Sequence, residues 1–293
     1  MTKIFITGAT GHIGGDTIVT LAADHPGYTF VALVRSNKKA EHVEARFPNV
    51  SVVIGDLDNS ALLEGCKAVA AGPVAGHTKE KPGYWLHTGG TRILTDKVYD
   101  DWEGVEELVS LPDHAFHRNH ANMRKVALVC PPPIYGRGRG PCSQRGRQVY
   151  ELVNVTLRPQ KGPIIGAGQG IWSNVHIHDL SNVSALLVDA AAYYLTENGE
   201  HQWGDLAKST ADSAAKLGLM SETMAEPIDL DSAKQYAGFA SLSSGMNSHG
   251  QALRARKVLG WNPSCPSLLE ELPQIAQTRV VQVTQFPLSS QGQ

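Results

Sequence analysis

Three glycines set three apart, Gly8, Gly11 and Gly14, are the residues with the clearest chemistry. They follow the apolar run Lys3-Ile4-Phe5-Ile6-Thr7 and precede Ile18, Val19, Leu21 and Ala22, which places them at a strand-to-helix turn. Such a turn cradles a pyrophosphate. Gly8 lets the strand turn sharply, Gly11 lets backbone N–H groups approach the phosphates, and Gly14 lets the helix pack on the strand. The positive end of the helix dipole then faces the dianion, with Thr10, His12 and Ile13 completing the turn. A glycine-rich turn without a ligand is the plainer alternative.

The elements that must hold this turn follow in order. Tyr28-Thr29-Phe30-Val31-Ala32-Leu33-Val34 reads as a second strand, residues 38–47 as a polar helix, and Val50-Ser51-Val52-Val53-Ile54 as a third strand. Strand and helix alternate, so the sheet is parallel and the fold class is α/β, Rossmann-like and doubly wound. Arg35, just past the second strand, stands where an acidic residue would bond the 2′-hydroxyl of NAD. An arginine suits a 2′-phosphate, which points to NADP, with NAD as the alternative and a surface arginine as the structural reading.

The 293 residues suffice for a dinucleotide-binding domain over 1–165, a small mixed substrate lobe over 166–276 whose chain partly returns to the first domain, and a tail over 277–293. A net charge of -2 argues against nucleic acid or an anionic membrane as partner. No apolar stretch is long enough to span a bilayer and no signal-peptide pattern opens the chain, so a soluble, cytoplasmic protein is expected. Cys66, Cys130, Cys142 and Cys265 are scattered without Cys-x-x-Cys spacing, which predicts free thiols and no metal site.

From Lys3 to about Leu272 the chain resembles the extended short-chain dehydrogenase/reductases, the NAD-dependent epimerase/dehydratase family. The resemblance rests on the glycine turn, Gly55-Asp56-Leu57-Asp58, Pro131-Pro132-Pro133-Ile134-Tyr135-Gly136-Arg137-Gly138, Asn174-Val175-His176-Ile177-His178-Asp179-Leu180, and Lys257-Val258-Leu259-Gly260-Trp261-Asn262-Pro263, in the family's order. It implies that Asp56 and Leu57 lie near the adenine and that Pro131 and Ile134 line the nicotinamide end. It also implies a small-molecule substrate, and it leaves a homodimer open.

Three shortenings set the chain apart: a weak Ala68-Val69-Ala70-Ala71 where a fourth strand and its crossover belong, the stretch between Phe116 and Val126, and the stretch after Leu187. The family's proton donor is a tyrosine whose pKa is lowered by a lysine four residues later, and no tyrosine here has that partner. Thr88 and Thr91 are the hydroxyls at the family's serine position. His114, His117 and His120 would share one helical side where the catalytic helix should begin, with His117 the candidate acid or base and a polar helix face the default. His176 and His178 alternate, which points them to opposite sides of an extended segment; Asp179 is expected to cap a helix over 180–192. Helices are also expected over 206–219, 232–240 and 268–276. Arg137, Arg139, Arg145 and Arg147 form a basic loop, either solvated or facing an acidic substrate group.

Three functions stay open: an NAD(P)-dependent oxidoreductase acting on a small carbonyl or hydroxyl compound, a non-redox isomerase, dehydratase or cyclase on the same scaffold, and a dinucleotide-binding sensor without turnover.

Overall fold

A computed structural model describes residues 2–55, 83–91, 124–157, 160–187, 192–228, 244, 247–248 and 250–285. β-Branched and aromatic residues build β1 (Lys3–Thr7), β2 (Thr29–Val34) and β3 (Val50–Ile54), which form a parallel sheet in the order β1-β2-β3. Between them run α1 (His12–Asp24) and α2 (Asn37–Arg46). Ile18 and Leu21 of α1 are buried with Phe30, Ala32 and Val34 of β2 and Val43 of α2. Removing such a side chain from water is worth roughly 2 to 3 kcal/mol, so this face holds the helix on the sheet.

A second parallel set joins β4 (Gly83–Thr88), β5 (Arg124–Cys130) and β10 (Ala192–Leu195) in the order β10-β5-β4. Ala68 to Ala71, the weak segment in place of the family's fourth strand, and Ser232 to Ala240, where the sequence predicts a helix, lie outside the described residues. Two short parallel strands, β6 (Ile134–Tyr135) and β9 (Val175–His176), pair beside this set. α4 (Ile177–Leu186) follows β9 and lies against α1.

The remaining chain encloses a separate core. Here β7 (Gly162–Ile165) pairs with β12 (Ala225–Ile228) and β8 (Ile171–Ser173) with β11 (Glu200–Gln202). Trp172, Trp203, Leu206, Leu272 and Ile275 fill the space between α3 (Gln148–Leu157), α5 (Trp203–Lys216) and α7 (Leu268–Gln285). α6 (Leu253–Leu259) ends on Gly260 at φ 65°.

Three helices differ from the expected bounds. α4 begins at Ile177 rather than 180 because the His176 ring caps it, and α5 begins at Trp203 rather than 206. α7 runs to Gln285 rather than 276 and takes in much of the expected tail. Ser267 and Glu270 bond reciprocally at its start.

Candidate functional site

The glycine turn has the geometry that its spacing implies. Gly8 sits at φ 73°, and its carbonyl accepts the Gly11 N–H at 2.8 Å. A Cβ on Gly14 would lie 2.4 Å from that same carbonyl oxygen, so only glycine allows the helix to approach the turn this closely. Gly11 is the N-cap of α1, with no side chain to accept the first-turn amides, and no acidic residue occupies that turn. The amides of His12, Ile13 and Gly14 therefore point from a positive dipole end with neither a capping oxygen nor a carboxylate in their way. This cradle fits a diphosphate. Arg35 is exposed at the end of β2, directly before Ser36, the N-cap of α2.

One loop is clamped over the other flank of α1. The Ser143 N–H donates to the Thr10 carbonyl at 3.1 Å, and Gly140 packs against Gly15, where a Cβ on Gly15 would come 2.9 Å from the Gly140 Cα. The His12 ring turns into this loop, with Nε2 3.2 Å from the Gly136 carbonyl, and burial pushes its pKa down to about 4. Its side chain is thus structural, while its amide stays at the cradle.

Asp16 is fully buried beneath the same loop. Arg139 donates to it three times, from its backbone N–H (2.7 Å), Nε (3.0 Å) and Nη2 (2.7 Å), and the Ser181 hydroxyl of α4 adds a bond at 2.7 Å. Burial alone would raise this carboxyl, but Arg139 and Ser181 outweigh it and hold it below the usual carboxylate range. One carboxylate thereby ties α1, α4 and the loop after β6 together.

The threonines sit beside the loop's start. Thr88 ends β4 opposite Val129 and is half-buried. Thr91 is buried; its N–H donates to the Pro131 carbonyl at 3.1 Å, its carbonyl accepts from Ser248, and its hydroxyl has no partner among the described residues. Pro131 is buried, and Ile134 is partly buried against the core cluster that includes Val129 and Ile177. The loop that starts at Pro131 beside Thr91 thus reaches the glycine cradle at Gly140 and Ser143. Asp56, Leu57, His114, His117 and His120 lie outside the described residues.

Comparison with known proteins agrees with this geometry. Residues 8–104 match a family model described as NAD(P)H-binding. The oxidase ucsJ of Acremonium sp is 34% identical over 336 aligned positions, covering 94% of this chain and 97% of that protein. The chain belongs to the extended short-chain dehydrogenase/reductase family. Its fold matches dTDP-glucose 4,6-dehydratase from Bacillus anthracis in complex with NAD at a TM-score of 0.65 with 13% identity, over 99% of this chain and 100% of that one. UDP-glucose 4-epimerase from Bifidobacterium longum, in complex with NAD+ and UDP, gives 0.63 with 14% identity over 98% and 99%. The alignment with the Acremonium protein is longer than the whole 293-residue chain, so that relative carries internal positions with no counterpart here. This accords with the shortenings read from the sequence.

Tyr135 is not the acid, as its place in the loop implies, while the two histidines and Asp179 after β9 depart from their expected roles. Tyr135, in the family's Pro-to-Gly loop, is fully buried, donates to the Pro266 carbonyl at 2.8 Å, and is held protonated by burial and by the Asp179 carboxylate. It cannot serve as an acid near neutral pH. His176 and His178 do not alternate: only Val175–His176 is extended, the helix starts at Ile177, and the two rings stand 4.6 Å apart. The His176 Nδ1 accepts the His178 N–H at 3.2 Å, which bends the chain into the first turn. Asp179 does not cap that helix. Its carboxylate accepts the N–H groups of Ser264 and Cys265, at 3.0 and 3.2 Å, and the Asn198 amide. The basic loop is mostly committed internally: Arg139 to Asp16, Arg137 to Gln144 and Arg147 to Glu151. Sequence reading missed Asp16, because one acidic residue inside an apolar helix face carries no sign of its distant arginine.

Proposed function

We propose that this chain is an NADP-dependent oxidoreductase acting on a small carbonyl or hydroxyl compound in the cytoplasm. The redox reaction, the preference for a 2′-phosphate and the compartment go beyond the NAD(P)H-binding match and the family. The observation that carries it is Arg35, exposed at the end of β2 with no carboxylate at that position to meet a ribose hydroxyl. Among the described residues no helix is long and apolar enough to cross a membrane.

In this reading the α1 amides hold the diphosphate, Arg35 pairs with the 2′-phosphate, and the Pro131 to Ile134 segment walls the nicotinamide end. The bound dinucleotide supplies the hydride chemistry. Thr88 orients the substrate oxygen, and Thr91 braces the Pro131 backbone. His117 is proposed for the proton, since Tyr135 is unavailable.

Arg35→Asp is expected to weaken NADPH binding by at least about tenfold while leaving NADH within about twofold, read by calorimetric titration of both. Equal losses for the two cofactors would remove the assigned role. Turnover with a panel of small carbonyls must also consume NADPH at its nicotinamide absorbance band. The buried, hydrogen-bonded Tyr135 favours a second reading, a non-redox enzyme or a sensor on the same scaffold. Product formation with the nicotinamide band unchanged would select the former, and binding without any product the latter.

A further inference from the structure

The folded chain brings together three metal-ligating side chains that its sequence holds apart. One ligand atom from each of His176, His178 and Cys265 lies within 4.8 Å of the others. We propose that His176, His178 and Cys265 form a binding site for a divalent transition-metal ion of the zinc class. The site lies at the start of α4, against the loop after β6, and takes no part in holding the dinucleotide.

The contacts around the cluster decide which ring nitrogen of each histidine could ligate. A carbonyl oxygen can only accept, so the 3.1 Å contact from His178 Nε2 to the Arg137 carbonyl puts the ring proton on Nε2 and leaves the Nδ1 lone pair open. A ring N–H donated to a backbone carbonyl is the usual support behind a metal-bound histidine. On His176 the choice of nitrogen is fixed by packing: a Cβ on Gly136 would lie 2.1 Å from Nε2, so that side is closed by backbone. Its Nδ1 is the nitrogen left to an ion, which must displace the His178 N–H from it and so take over the capping position of α4.

Cys265 is the third donor. Its backbone is fixed by Asp179, which accepts the Cys265 N–H at 3.2 Å, and the Trp261 indole bonds the Asp179 carbonyl at 3.0 Å. These bonds hold the sulfur beside α4 whether or not an ion is bound. On ligation the Sγ–H bond breaks, the sulfur pair forms the Sγ–metal bond, and the proton leaves to solvent. Asp179 remains behind the thiolate as a carboxylate, which offsets the ion's charge at a positive helix end. Side-chain rotations of about 1 Å bring the three atoms to the separations of a tetrahedral ion, with water on the side where His178 is one-third exposed. The ion would clip the segment from Trp261 to Ser267 onto α4.

The test is titration of the full chain, stripped with a chelator, with Co2+ as a spectroscopic stand-in for Zn2+. One Co2+ per chain is expected, with a thiolate-to-cobalt band in the near ultraviolet that is displaced by Zn2+ and lost in Cys265→Ser. His178→Ala should weaken binding by at least about tenfold. Cys142, whose sulfur lies 3.6 Å from His42 Nδ1, is the competing thiol, and Cys142→Ser should leave the band intact. A band that survives Cys265→Ser, vanishes in Cys142→Ser, or never forms overturns the site. Should Cys265→Ser fail to fold, His178→Ala decides alone, and unchanged affinity in that variant is equally fatal.

Discussion

Acidification from pH 7 toward pH 4 steeply destabilises this fold. Burial holds His12 near a pKa of about 4, His176 near about 4 and His201 near about 3, whereas an unfolded histidine titrates near about 6.5. The sign follows from proton counting. Above about pH 7 neither state binds these protons and there is no effect; between the folded and unfolded values only the unfolded chain binds them, so stability falls as pH falls; below the folded values the loss stops growing. Each such proton contributes about 1.4 kcal/mol per pH unit, so three give roughly 4 kcal/mol per unit at the steepest. That is comparable with the whole stability of many domains. Asp16 acts lower: its folded pKa is depressed, so its contribution is intact above about pH 4 and is lost only as pH drops through its folded value. Urea unfolding between pH 7.5 and 5 reads the slope, and His201→Gln, at a ring whose only hydrogen bond among the described residues is to Asn174, should lower it by about one proton. A flat profile across that range would contradict the burial of these rings.

Asp16→Ala should cost about 3 kcal/mol, the size expected when one partner of a buried ion pair is removed. The variant strips Arg139 of its fork and Ser181 of its acceptor, and only Arg139, with its side chain 36% exposed, can partly recover water. Asp16→Asn keeps the volume and loses the charge, so it should fall between Ala and the parent. In a double-mutant cycle with Arg139→Ala the two losses should overlap by at least about 1 kcal/mol. Additive losses, or a cost for Asp16→Ala under about 0.5 kcal/mol, would mean that the network does not carry the loop.

What the sequence made legible was local. Gly8, Gly11 and Gly14 announce a turn because their reason is written within seven residues: a left-handed φ, an amide approach and a helix contact. The first three strands are β-branched runs bounded by polar residues, and each formed where periodicity places it. The illegible features depend on distant partners. Asp16 needs Arg139, Asp179 needs Ser264 and Cys265, and neither pairing leaves a spacing signal. His176 and His178 misled for a different reason. Alternation assumes an extended chain, and the imidazole of His176 caps a helix one residue later, which brings the two rings together. The missing tyrosine and lysine pair was legible as an absence; the burial of Tyr135 beneath Pro266 was not.

The central claim is that the first strand-to-helix turn holds a dinucleotide by its diphosphate, and thermal denaturation with added NADPH or NADH tests it most directly. At about 100-fold excess over the dissociation constant, a cofactor bound only by the folded chain adds about 2.7 kcal/mol, which raises the midpoint by a few degrees. Gly11→Asp puts a carboxylate against the phosphates and should remove that rise while the ligand-free variant still unfolds cooperatively. No rise with either cofactor in the parent chain, or an undiminished rise in Gly11→Asp, would contradict the account.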